Sequence, residues 1–185
     1  MILPWPCKSK IQVGDFRIFT IDREVKTSPR TGEEHDFFVL NTRNWVNIIA
    51  LTPRDELVMV EQFRQGTNTV ELEVPGGVME HSGEAPEITA ARELREETGY
   101  EGGPGRLLGE IFPNPAIMNN RAYTVLIENC EPRHPTEFDP GEDLVTRLVP
   151  VKDIPGLVLS GQIRHAIVVV ALYYFEMQRR RPGAD

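Results

Sequence analysis

The spacing of apolar and polar residues predicts short β-strands along most of the chain and two helices. Aromatic and β-branched residues in segments 16–25 and 37–41 flank a polar, turn-rich stretch at 27–34, which predicts a hairpin. Further strands are predicted at 45–51, 56–63, 71–74, 107–112, 122–128 and 144–149. We therefore expect an N-terminal β subdomain, residues 1–43, followed by a main domain, residues 44–185.

Helical periodicity is clearest in residues 85–98, where Pro86 suits the first turn. One side of this helix is expected to carry Ile88, Ala91, Leu94 and Thr98. A second, apolar helix is predicted from about residue 162 to residue 177. Strands mixed with helices in this order indicate an α+β fold.

Composition narrows the possible partners. The 185 residues include 20 Lys and Arg against 28 Asp and Glu, and the net charge of -8 opposes binding to nucleic acid or to an anionic membrane. A phosphate-bearing ligand would therefore need a bridging cation. The two cysteines do not make a disulfide framework, and no apolar run reaches the roughly 18 residues of a membrane span. We expect a cytoplasmic protein with no signal peptide.

The first helix carries an acidic cluster, Glu93, Glu96 and Glu97, on one face near its C-terminal end. One interpretation is a solvated face with Glu–Arg pairs. The other is a cation site, because negative charge is unfavourable at a helix C-terminus and needs compensation. Carboxylates are hard ligands that suit Mg²⁺ or Mn²⁺, and the turn at Gly76 and Gly77 would let a backbone carbonyl approach the same ion.

This helix also resembles the signature of the Nudix hydrolases. The chain supplies Glu84, then seven residues, then the run Arg92-Glu93-Leu94-Arg95-Glu96-Glu97-Thr98-Gly99-Tyr100. Six residues separate Gly77 from Glu84, one more than in the family pattern, and the extra residue falls around His81 and Ser82. The resemblance implies a Nudix fold, in which a mixed β-sheet lies between helices and an antiparallel β subdomain precedes it.

For the site, the resemblance implies roles for several residues of the motif. Divalent cations, Mg²⁺ or Mn²⁺, would be held by Glu93, Glu96, Glu97 and the carbonyl of Gly76. Glu84 and Arg92 would form a structural ion pair; the alternative for Arg92 is a plain surface arginine.

Residues before the motif resemble the ADP-ribose and nucleoside diphosphate sugar pyrophosphatase branch of this family. The runs 60–64 and 72–77 carry this resemblance. In that branch the strand arginine, here Arg64, contacts the diphosphate or terminal sugar, and Glu73 lies near the ligand. Pro115 stands close to the position of a marker proline, although its surroundings, residues 114–121, differ from the usual pattern. The alternative for Arg64 is an exposed charge at the end of a strand.

The C-terminal third resembles the same branch, in which a loop glutamate activates the attacking water. Glu142 is the candidate for that general base, with Glu137 and Asp139 as substitutes and a solvated turn residue as the alternative. Together with Glu142, Glu93 and Glu97 are the expected catalytic residues. The N-terminal subdomain is expected to mediate a homodimer and to help bind the base. Phe37 or Trp45 would stack on the base, unless both belong to the core.

We therefore predict Mg²⁺-dependent hydrolysis of ADP-ribose or a related nucleoside diphosphate sugar, giving a nucleoside monophosphate and a sugar phosphate. The partner would be a small nucleotide-sugar substrate, without nucleic acid or membrane. One alternative is hydrolysis of GDP-mannose or of many nucleotide sugars. Another is a Nudix module that binds nucleotides without cleaving them.

Overall fold

A computed structural model describes residues 1–80 and 83–180 of the chain. The extra residue expected around His81 and Ser82 lies outside these described residues. The chain divides into two units: Met1–Asn44 with Phe112–Arg121, and Trp45–Ile111 with the residues from Ala122 onward. Within the described residues, no helix is long and apolar enough to cross a membrane.

The first unit is built on an antiparallel sheet of three strands in the order β1-β2-β3. The strands are β1 (Cys7–Asp15), β2 (Phe19–Thr27) and β3 (Glu34–Thr42). Strand β1 was not predicted, because it is polar at most positions and its apolar residues Ile11 and Val13 are exposed. Segment 112–121 joins this unit where the Leu40 N–H donates to the Ile117 carbonyl at 2.7 Å.

The second unit contains the remaining strands and all the described helices. Its strands are β4 (Trp45–Ala50), β5 (Glu56–Arg64), β6 (Thr69–Glu73), β7 (Gly76–Val78), β8 (Tyr100–Glu101), β9 (Arg106–Ile111), β10 (Ala122–Ile127), β11 (Glu131–Pro132) and β12 (Leu144–Pro150). Its α-helices are α1 (Pro86–Thr98), α2 (Ile154–Leu159) and α3 (Ala166–Arg179). They accompany a mixed sheet, β7-β4-β10-β9, an antiparallel sheet, β12-β5-β6, and a small β11-β8 pair.

The mixed sheet lies between α1 and α3. On β4, Ile48 is buried in a cluster with Leu94 of α1, whereas its neighbour Ile49 is buried in a cluster with Val168 and Phe175 of α3. Successive residues of a strand point to opposite faces, so the two helices cover the two faces of the sheet. This arrangement confirms the predicted α+β fold with a mixed sheet between helices.

The helices depart from the prediction in two respects. On α1, Ile88 is 61% exposed, whereas Glu97 is only 3% exposed, so the predicted apolar side of the helix was wrong in its first half. Helix α3 begins at Ala166 rather than near residue 162, and the short helix α2 was not predicted. The backbone before α3 turns at Gly161, whose φ of 75° lies in the left-handed region.

Candidate active site

Gly76 is required by the close approach of two strands. It lies in β7, opposite Asn47 of β4. A side-chain carbon at this position would lie 3.2 Å from the carbonyl carbon of Val46 and closer still to its oxygen. The Gly76 N–H donates to Oε2 of Glu97 at 3.0 Å. The strand therefore binds the end of α1 through its amide.

Gly77 makes room for the second acid of the helix. A side-chain carbon there would lie 2.7 Å from Oε2 of Glu93, and closer to the other carboxylate oxygen. Neighbouring glycines thus place the carboxylates of Glu93 and Glu97, one helical turn apart, against the same strand. This close approach of backbone to side chain accounts for the glycine pair, and the approach of the Gly76 carbonyl to a cation stays a prediction.

Both acids are buried, and their ionisation reflects it. Burial raises the pKa of Glu93 to about 7 and outweighs the attraction and hydrogen bond of Arg92, with smaller repulsion from Glu96 and Glu142. Burial raises the pKa of Glu97 to about 8, despite the hydrogen bond from Gly76 and because of the neighbouring charges of Glu93 and Glu142. The interior therefore disfavours negative charge at these carboxylates unless a cation offsets it.

Arg92 supplies positive charge to this cluster. Its two terminal nitrogens donate to Glu93 and to Glu96, each at 2.8 Å. Glu84 instead accepts a hydrogen bond from the Thr89 hydroxyl at 3.0 Å. The expected Glu84–Arg92 ion pair is thus not formed among the described residues, because the Arg92 guanidinium pairs with two carboxylates of its own helix.

A second polar cluster joins the last residue of β5, Arg64, to the last residue of β6, Glu73. Nε and Nη2 of Arg64 donate to the two carboxylate oxygens of Glu73, at 2.8 and 2.9 Å. Nδ1 of His165, the residue before α3, lies 2.7 Å from Oε2 of Glu73. Burial would raise the pKa of Glu73, but the hydrogen bonds from Arg64 and His165 outweigh it and lower the pKa to about 2. Glu73 is therefore ionised at neutral pH.

Glu142 belongs to the loop that precedes β12. Its backbone N–H donates to the Asp139 carbonyl at 2.9 Å, and its Oε2 accepts the Asp139 N–H at 3.0 Å. The same loop is tied to the end of α1, because the Glu137 N–H donates to the Glu96 carbonyl at 2.8 Å. The charge of Glu142 is a minor cause of the raised pKa of both buried acids.

A pocket of about 280 Å³ opens beside these clusters. Its walls combine apolar surface with the polar cluster around Glu73. The lining residues are Trp45, Val46, Asn47, Arg64, Glu73, Val74, Gly76, Gly77, Val78, His165 and Ile167. Trp45, one candidate for stacking on a base, therefore lines this pocket. A small organic group would meet both an aromatic ring and a guanidinium here.

Two predicted ligand contacts belong to the first unit instead. Pro115 is exposed in segment 112–121. Phe37 lies on β3, where the ring of Trp5 packs edge-on against it at 5.6 Å and the Lys26 ammonium lies 6.0 Å from its centre.

The donor set of α1 fits a divalent cation bound through oxygen. Glu93 and Glu97 are buried carboxylates of raised pKa, and Glu96 lies beside them at the helix surface. Across residues 1–80 and 83–180, no three acidic, histidine or cysteine side chains already converge as a metal site. A cation would therefore compete with Arg92 for Glu93 and Glu96.

Sequence reasoning missed His165 as a member of the site. A histidine before an apolar helix carries no motif, and its partner Glu73 lies 92 positions away. The one available signal was the polar pair Arg164-His165 immediately before the apolar run of α3. Arg164 makes a similar contact with the same strand, since its guanidinium donates to Glu71 of β6 at 2.8 Å.

Comparisons with known proteins identify the family to which this fold and acid-rich site belong. The NUDIX domain model matches residues 41–171. An ADP-ribose pyrophosphatase of Bacillus subtilis (strain 168) is 30% identical over 134 residues, 72% of each chain. A GDP-mannose pyrophosphatase of Yersinia pestis (strain Pestoides F) is 25% identical over 171 residues, 88% of this chain and 85% of that protein.

The fold comparison agrees with the family match. The crystal structure of an ADP compounds hydrolase superposes with a TM-score of 0.88 at 21% identity, covering 100% of this chain and 99% of that one. The chain belongs to the NUDIX domain family and is a Nudix pyrophosphohydrolase. The 30% identity to an ADP-ribose pyrophosphatase confirms the resemblance to the ADP-ribose and nucleoside diphosphate sugar branch.

Proposed function

We propose that this protein hydrolyses the diphosphate bond of ADP-ribose, giving AMP and ribose 5-phosphate, with Mg²⁺ or Mn²⁺ as cofactor. The observation that carries the proposal is the pair of buried carboxylates, Glu93 and Glu97, held against Gly76 and Gly77. The 30% identity to an ADP-ribose pyrophosphatase supports the choice of substrate.

Glu93, Glu96 and Glu97 would hold the cation, together with the carbonyl of Gly76. A bound cation would neutralise diphosphate charge and lower the pKa of a coordinated water. Glu142 would accept the proton of that water, because its loop is tied to the end of α1 and its charge reaches both buried acids.

Arg64 would bind the diphosphate or the terminal sugar, with Glu73 near the ligand. A guanidinium pairs well with phosphate oxygens, and Arg64 lines the pocket with its guanidinium already oriented by Glu73. Ion pairing keeps this arginine charged, because the hydrogen bonds to Glu73 raise its pKa and outweigh the opposing effect of burial.

The substrate is tested with a panel of ADP-ribose, GDP-mannose, other nucleotide sugars, dinucleotides and nucleoside triphosphates, each with Mg²⁺. Preferential release of AMP and ribose 5-phosphate is expected. The variant Glu97→Gln is the control, because it keeps an oxygen for the Gly76 N–H but removes the charge. Turnover by this variant at the rate of the unaltered protein would refute the metal assignment.

A second candidate substrate is GDP-mannose, or a wide range of nucleotide sugars. The alignment with a GDP-mannose pyrophosphatase over 88% of the chain favours it, as does the unusual sequence around Pro115. Faster cleavage of GDP-mannose in the same panel would establish it. Binding without turnover of any compound would indicate a non-catalytic Nudix module.

We also propose that residues 1–43 form a subdomain for dimerisation and base binding, and that 44–185 form the hydrolase domain. Exposed apolar residues on the first sheet support a homodimer, since Ile11 is 61%, Val13 53% and Phe38 57% exposed. Sedimentation equilibrium of the full chain tests this, and Phe38→Lys should shift a dimer towards monomer. A cytoplasmic location is consistent with both cysteines being free.

A further inference from the structure

Glu73 has little capacity left for a ligand. Its side chain is 2% exposed, and its carboxylate accepts two hydrogen bonds from Arg64. A third donor, Nδ1 of His165, contacts the oxygen Oε2. An ionised carboxylate only accepts hydrogen bonds, so Nδ1 carries the proton in this contact.

Arg64, in contrast, has a donor to spare. Its Nε and Nη2 face Glu73, and among the described residues its Nη1 makes no hydrogen bond. The side chain is 41% exposed and lines the pocket. The guanidinium is planar, so fixing two of its nitrogens also fixes the direction of the third.

We infer that His165 is a positioning residue: it holds the buried carboxylate of Glu73, and Glu73 in turn aims Arg64 into the pocket. Glu73 would then act on the substrate through Arg64 rather than by touching it. The inference rests on the proposed function, because it takes Arg64 as the group that meets the diphosphate or sugar.

The position of His165 in the fold favours this role. It stands immediately before α3, whose Val168 and Phe175 are buried in the core, so the backbone that carries the imidazole is fixed. The preceding residue, Arg164, pairs with Glu71, two residues before Glu73 on β6. The segment before α3 is thus attached to β6 by two contacts, an outer pair, Arg164–Glu71, and an inner pair, His165–Glu73. Only the inner pair includes the carboxylate that binds Arg64.

The same geometry provides matched variants. His165→Asn keeps an N–H donor near the place of Nδ1, whereas His165→Leu removes the donor at similar volume. Arg164→Gln breaks the outer pair without touching Glu73 and serves as the control for loop anchoring. We expect His165→Leu to lower kcat/KM for ADP-ribose by about tenfold, as for loss of one hydrogen bond to a charged group. His165→Asn and Arg164→Gln should stay within about twofold.

A double-mutant cycle separates positioning from a general structural role. If His165 acts through Arg64, His165→Leu should change kcat/KM little once Arg64→Ala is present. An equal loss in both backgrounds would overturn the inference, because a structural defect does not depend on Arg64. Unfolding in urea reports any stability loss of each variant separately.

A measurement without turnover keeps this test distinct from that of the proposed function. The Nε–H of Arg64, assigned by its loss in Arg64→Lys, should give a slowly exchanging ¹⁵N NMR signal in the unaltered protein and in His165→Asn. Faster exchange in His165→Leu supports the inference, and unchanged exchange contradicts it. If no compound of the panel is hydrolysed, the proposed function fails while this result still decides the role of His165.

Discussion

Substitution by alanine should affect different properties at the two adjacent glycines of β7. In Gly76→Ala the added methyl group meets backbone atoms of Val46, whereas in Gly77→Ala it meets the carboxylate of Glu93. Backbone in a paired strand cannot withdraw, but the end of a glutamate side chain can. We therefore expect Gly76→Ala to lose stability and Gly77→Ala to lose activity.

The magnitudes follow from the distances. The methyl group of Gly76→Ala would lie 3.2 Å from the Val46 carbonyl carbon and closer to its oxygen, an overpacking that costs about 1–3 kcal/mol of unfolding free energy. That of Gly77→Ala would lie 2.7 Å from Oε2 of Glu93. The carboxylate must then move by about 1 Å, and a displacement of that size lowers turnover by roughly 100-fold.

The assay pairs urea unfolding with the initial rate of ADP-ribose hydrolysis at saturating Mg²⁺. Gly66→Ala is the matched control, since a methyl group there meets no atom within 4 Å, and it should change neither quantity. Gly77→Ala should unfold within about 1 kcal/mol of the unaltered protein. Full turnover by Gly77→Ala would show that activity does not depend on the position of the Glu93 carboxylate against β7, and would refute the reasoning.

Further predictions concern metal, acid and thiol chemistry. Mg²⁺ should raise the melting temperature, because a cation offsets the repulsion of buried acids, and the rise should shrink in Glu97→Gln; an equal rise in both proteins would contradict this. The pKa of Glu73 is lowered from 4.5 to about 2, so its ionised form stabilises the folded protein by up to ~3 kcal/mol. This stabilisation is complete above about pH 5 and is lost as the pH falls through 2. Measuring the unfolding free energy as a function of pH tests it. A thiol reagent should label exposed Cys7 quickly, while Cys130, whose pKa burial raises to about 12, should react only on unfolding.

Much of the second unit was predictable because its local signals agree with its tertiary contacts. Residues 45–51 are apolar except for Asn47, and β4 is buried along its length after Trp45. Helix α1, which ends at Thr98, was correctly placed, since its C-cap residue Gly99 has the left-handed φ of 73° that glycine adopts readily. Strand β1 was not predictable in this way, because its apolar residues remain exposed.

Contacts between distant residues account for what the sequence did not reveal in the site. Spacing along α1 predicted that Glu93 and Glu97 share one face of the helix, but it could not show that Arg92 pairs with Glu93 and Glu96 rather than with Glu84. That preference depends on side-chain reach in three dimensions. His165 is a sharper case, because only the packing of α3 brings it to Glu73.

Helix α1 buries acidic residues and exposes an isoleucine, and this pattern is itself an argument for function. A helix selected only for stability would bury Ile88 and expose its acids, since burying an isoleucine contributes about 1.5–3 kcal/mol, whereas burying an uncompensated carboxylate is costly. Here Ile88 is 61% exposed, while Glu93 and Glu97 are 9% and 3% exposed. The two facing residues of β7 are Gly76 and Gly77, and the missing side chain at Gly77 leaves room for the carboxylate of Glu93. Stability alone does not explain such an arrangement, whereas the proposed cation site would, because a bound positive charge would remove the cost of burying these carboxylates.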